Sequence, residues 1–124
     1  MSVVAGVAFG GAVGAMSRYA LDRVIEARGE ASFPWSTFVI NVSGCLVVGF
    51  LIAALVDRGH APEWLRAGLV VGFCGGYTTF STFAQETLDL LEARDVAIAL
   101  TSVASNVVVG VLAVVVGARL GRVV

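Results

Sequence analysis

Within the nine positions from Thr78 to Glu86 stand four hydroxyl residues (Thr78, Thr79, Ser81, Thr82), two phenylalanines (Phe80, Phe83) and one carboxylate (Glu86). Three glycines, Gly72, Gly75 and Gly76, lead into them. At three-residue intervals Phe80, Phe83 and Glu86 share one helical face. Two phenylalanines at helical spacing are ordinarily packing residues. The interleaved hydroxyls open a second reading: an aromatic ring is positive at its edge, so ring edges beside hydroxyl donors offer an anion a weak site in a dry place. Adjacent glycines and hydroxyls also argue for a helix break at 75–78, because glycine is a poor helix former and Ser and Thr give the backbone other hydrogen bonds. Carbonyls freed there suit a hard cation, or else they are solvated by water and neighbouring hydroxyls as in an ordinary kink.

Such a segment needs a membrane around it. Of 124 residues, 58% are hydrophobic and 14% charged, too apolar for a small soluble domain. Charged residues are absent from 1–17, 31–56, 67–85 and 96–118. Each stretch approaches the roughly 20 residues that cross a bilayer. The expectation is a single all-α membrane domain over 1–124, with helices at about 3–21, 33–56, 64–90 and 96–118 and the third broken at 75–78. The first segment is read as a mature helix, since no basic residue precedes it and its glycines are spaced for packing.

The spans carry further signals. Gly6, Gly10 and Gly14 recur every four residues, a ridge for close helix approach. Arg18 and Tyr19 are expected to reach the headgroups, and Trp35 to sit at the interface. Asn41, with Thr37 one turn before it, needs a partner in hydrocarbon and is either an interhelical bond or a pathway ligand. Read locally, the bond is the plainer choice. The fourth span has two polar stripes, Thr101 with Ser105 and Ser102 with Asn106. Cys45 and Cys74 read as buried free thiols and His60 as a solvated loop residue.

Topology follows from basic residues. Four crossings leave Arg58, Arg66, Arg119 and Arg122 on one side and Arg18, Arg23, Arg28 and Arg94 on the other. A balance of four against four gives no instruction for orientation, so both are expected, and with them an antiparallel dimer. All basic residues are arginine without a basic run, which gives nucleic acid no foothold.

The blocks GGAVGAMSRY at Gly10 to Tyr19, TFVINVSGCLVVG at Thr37 to Gly49 and GFCGGYTTFSTFAQE at Gly72 to Glu86 resemble the signature blocks of the Fluc, or CrcB, fluoride channels. Length, span layout and charge balance agree, so the resemblance covers the whole chain. It implies a dual-topology antiparallel homodimer in the cell membrane that exports fluoride passively through two pathways. It also implies a central structural sodium ion held by the main-chain carbonyls of Gly75 and Thr78. The fluoride pathway it implies includes Asn41, Phe80, Ser81, Thr82, Phe83 and Ser105, with Glu86 at the mouth. That reverses the local preference for Asn41. A tyrosine is common where this chain has Thr101.

Two other classes compete. A small proton-coupled exporter would need an acidic residue deep in the membrane, and the charge-free stretches hold none. A packing subunit would explain the glycines but not the chemistry from Thr78 to Phe83. No nucleophile-and-base set is visible, which argues against an enzyme.

Overall fold

In lipid, a backbone segment must pair its own polar groups, so the apolar runs fold as helices. The structure is a computed structural model that describes residues 2–29, 31–56, 59 and 61–123. Glu30, Asp57, Arg58 and His60 lie outside the described residues. The elements are α1 (Val3–Glu26), α2 (Trp35–Leu51), α3 (Glu63–Ala67), α4 (Gly75–Tyr77), α5 (Phe80–Glu92) and α6 (Val96–Val123). π-helical turns at Ile52–Val56 and Gly68–Cys74 extend α2 and join α3 to α4. Three helices are long and apolar enough to cross a membrane: Val3–Glu26, Trp35–Leu55 and Val96–Val123. The remaining crossing is composite, running from α3 through α5.

Glycines set how these helices pair. A Cβ on Gly10 would overlap the Gly68 carbonyl oxygen, and one on Gly72 would lie 2.6 Å from the Val7 oxygen, so α1 and the composite crossing touch backbone to backbone. The same is true of α2 and α6, where a Cβ on Gly117 would overlap the Leu46 oxygen. Within each pair the contacts advance together in sequence, so the two helices run in the same direction. First with third and second with fourth is the pairing that alternating crossings allow.

The composite crossing breaks at Thr78 and Thr79, whose backbones are extended (φ −77°, ψ 160° and φ −146°, ψ 115°). Gly75 and Gly76 remain helical, at the near edge of the interval 75–78. Gly76 serves packing rather than bending, since a Cβ there would lie 2.5 Å from the Gly11 oxygen. Thr79 then starts α5 by capping it: its Oγ1 accepts from the Thr82 N–H at 3.3 Å. At the head of α2, Phe33, Trp35 and Phe38 form an aromatic cluster with ring centroids 4.7 to 5.9 Å apart. Ser36 donates to Asp22, tying the start of α2 back to α1.

Candidate functional site

A break inside a membrane frees polar backbone that must find partners. Asn41, on α2, supplies them for Thr79. Its Oδ1 accepts from the Thr79 N–H at 2.9 Å and its Nδ2 donates to the Thr79 carbonyl at 3.2 Å. One side-chain amide thus pairs both main-chain groups of one residue, as a neighbouring strand would. The second N–H of Asn41 donates to Asn106 Oδ1, on α6, at 3.3 Å.

Among the carbonyls that this arrangement takes out of the helical ladder are those of Gly75 and Thr78. In a continuous helix the Thr79 N–H would pair with Gly75; here it is engaged by Asn41. The Thr78 carbonyl accepts from Arg18 Nη1 at 3.3 Å. Arg18 was expected to snorkel outward, yet its guanidinium reaches the break. Thr78 itself turns back, its N–H and Oγ1 both donating to the Cys74 carbonyl at 3.0 and 2.9 Å.

Beyond the break, the Phe80 and Phe83 ring centroids are 5.8 Å apart and the rings are inclined at 48°. Phe80 is 81% exposed in the single chain, an orientation that packing within the chain does not explain. Ser81 is exposed too, as is Thr82, which accepts from Thr79 Oγ1 at 2.9 Å. Glu86 is half-buried; its Oε1 accepts from Thr37 Oγ1 at 2.8 Å, and its Oε2 is buried with no partner among the described residues. Thr37 therefore serves Glu86 rather than its neighbour Asn41.

In α6 the hydroxyl of Ser105 donates to its own helix, at the Ser102 carbonyl 3.2 Å away. Thr101 likewise donates to the Ala97 carbonyl and is exposed. The other stripe faces inward: Ser102 is 1% exposed, and Asn106 meets Asn41. Sequence reading placed Asn106 in a polar stripe of the fourth span and assigned it no partner. The available signal was its amide, which cannot remain unpaired in hydrocarbon.

Asn41, Gly44, Cys74, Gly75, Thr78 and Phe80 line one cleft of about 360 Å³ that opens on the outer surface of the chain. Its lining thus includes the amide residue Asn41, the aromatic Phe80, and Gly75 and Thr78 at the break. Among the described residues no cluster of three or more His, Cys, Asp or Glu could hold a metal ion. A hard cation here would rely on carbonyls.

Comparison with known proteins gives a consistent result. The family model described as CrcB-like protein, Camphor Resistance (CrcB), matches residues 5–118. A fluoride-specific ion channel FluC of Magnetococcus marinus is 39% identical over 121 residues, 98% of each chain. The FluC 2 channel of Symbiobacterium thermophilum is 44% identical over 117 residues, 94% of this chain and 95% of that one. The FluC channel of Solibacter usitatus is 42% identical over 116 residues, with the same shares covered.

Proposed function

The chain belongs to the CrcB-like protein family, and on that premise we propose that it is a fluoride-specific ion channel that lets fluoride leave the cell passively and so relieves fluoride toxicity. It is a multi-pass protein of the cell membrane and not an enzyme. One observation carries the proposal beyond kinship: the broken crossing sets the Phe80 ring and the Asn41 amide on one cleft with two carbonyls outside the helical ladder. Fluoride is small and strongly hydrated, so a narrow route must replace its water with donors that are numerous and individually weak. The pathway we assign runs past Asn41, the edges of Phe80 and Phe83, and the hydroxyls of Ser81, Thr82 and Ser105, to Glu86 at its mouth.

The working unit we propose is an antiparallel homodimer with two such pathways. The balance of arginines supports insertion in both orientations, and the exposed Phe80 supports a cover from outside the chain. Adding two or three arginines at the C-terminus, with no other copy of the gene expressed, is expected to bias orientation and lower fluoride flux. Labelling of single cysteines at loop positions from either side checks this; labelling from one side only in the native protein would refute dual insertion.

We propose a structural sodium ion between the two chains. Gly75 has lost its helical partner, its outward face has nothing within 4 Å, and carbonyl oxygens suit a hard cation. The Thr78 oxygen has a second lone pair beside the one Arg18 uses. One chain offers two oxygens, so a second copy would complete the set. The ion would supply fixed positive charge at the dimer centre. Because the space beyond Gly75 is open, Gly75→Val should leave the single chain folded yet abolish most of the dimer and most of the flux. Size-exclusion chromatography and flux measured with sodium replaced by a large organic cation test this; sodium carried with fluoride in fixed ratio would contradict a structural ion.

The decisive experiment for the function is efflux from liposomes containing only this purified protein. Rapid fluoride release with chloride retained is expected. Equal release of both, or of neither, would sink the reading.

A further inference from the structure

Asn41 is fully occupied in this structure, and that is a difficulty for any anion it is meant to bind. Its Oδ1 and one N–H hold Thr79, and its other N–H is held by Asn106 Oδ1 at 3.3 Å. The two bonds to Thr79 cannot be given up without stranding main-chain groups at the break. The bond to Asn106 can, because Asn106 is a side chain able to turn. It is anchored from its other end, with Nδ2 donating to the Ser102 carbonyl at 2.9 Å. Its second N–H is unengaged among the described residues. Beside it, the hydroxyl of Ser102 is buried without a partner among the described residues, on a residue 1% exposed.

We propose that Asn106 is a displaceable latch on Asn41. Without an anion, its carbonyl oxygen covers the one N–H of Asn41 that can be spared. An arriving anion takes that N–H in its place, and the Asn106 amide then turns its unengaged N–H toward the anion. Asn41 and Asn106 thereby present two amide donors in succession, and the break stays paired throughout. An anion that accepts hydrogen bonds strongly performs this exchange best, which suits fluoride. This inference rests on the fluoride-channel reading and adds to it a positioning and donor role for a residue of α6.

Asn41 and Asn106 are the two asparagines of the chain, so selective asparagine labelling with nitrogen-15 yields two side-chain amide signals that report directly on the latch. In the native protein, sodium fluoride is expected to shift both signals and sodium chloride neither. Asn106→Leu removes latch and donor together and should lower fluoride flux about tenfold or more, the scale of one lost hydrogen bond to a charged group. Asn106→Ser restores a donor without the latch and should return flux to within about threefold of native, on the same scale. A fluoride shift confined to Asn41, no shift at either residue, or native flux in Asn106→Leu would overturn the latch while fluoride transport by the native protein stood. If Asn106→Leu does not fold, the spectra of the native protein decide. A native protein that carries no fluoride would overturn the channel reading and this inference with it.

Discussion

Replacing Phe83 or Phe80 by isoleucine is expected to cut fluoride flux steeply while the protein stays folded and assembled. Isoleucine is apolar and of similar bulk, so a residue that only packs should tolerate it at about 1.5 kcal/mol or less. Phe83 is half-buried and Phe80 is 81% exposed in the single chain, so the repacking penalty is smallest where the loss of function should be plain. A ring edge, by contrast, carries positive charge that no aliphatic group supplies, and aromatic contacts are worth about 0.5–1.5 kcal/mol beyond burial. Loss of one such contact from the route corresponds to roughly two- to tenfold in rate, and loss of both rings compounds it. Flux in liposomes, normalised to dimer recovered by size-exclusion chromatography, separates the two readings. Flux that follows folded protein in proportion would make the stripe a packing face and move the pathway elsewhere.

A larger effect is expected at the other end of the molecule's design. Gly10→Leu should leave no folded protein. The added Cβ would overlap the Gly68 carbonyl oxygen and approach the Phe73 nitrogen to 3.0 Å; both are backbone atoms and cannot swing aside. Relief would require α1 to separate from the composite crossing along its whole length, undoing the contacts at Gly6 and Gly14 as well. Overpacking ordinarily costs about 1–3 kcal/mol, and here flexible side chains are not available to absorb it, so the upper end or beyond is expected. Gly11→Ala, one residue along, is the control. Its Cβ would meet the Gly72 oxygen at 3.8 Å, ordinary van der Waals contact, and alanine gains about 1 kcal/mol of helix propensity. Melting temperature and recovery in detergent should therefore collapse for Gly10→Leu and hold or rise for Gly11→Ala. Equal behaviour of the two would mean that the glycine ridge is not what joins these helices.

Sequence alone determined the architecture to a considerable depth. Long charge-free runs in a chain that is 58% hydrophobic required membrane helices, since lipid leaves backbone groups no other partner. The glycine repeats marked which faces meet closely. The crowding of glycines and hydroxyls before Phe80 marked the third crossing as interrupted, and the blocks around Arg18, Asn41 and Phe80 carried the kinship. What sequence left open was every choice between neighbours on a helix. Both Ser105 and Asn106 were visible as polar residues of α6, and periodicity could not say which faces Asn41. The rotation of α6 about its axis settles that, and it is fixed by backbone contact at Gly117 and Gly121 against α2. The break likewise begins where the Asn41 amide captures the Thr79 N–H, a partner 38 residues away, rather than at the glycines themselves. Thr37 bonds to Glu86 across 49 residues, and Arg18 to the Thr78 carbonyl across 60. A helical pattern specifies a face, but a face holds several residues. Only the close fit of one helix against another decides which of them touch, because a polar group in hydrocarbon must find its partner wherever the packing has put it.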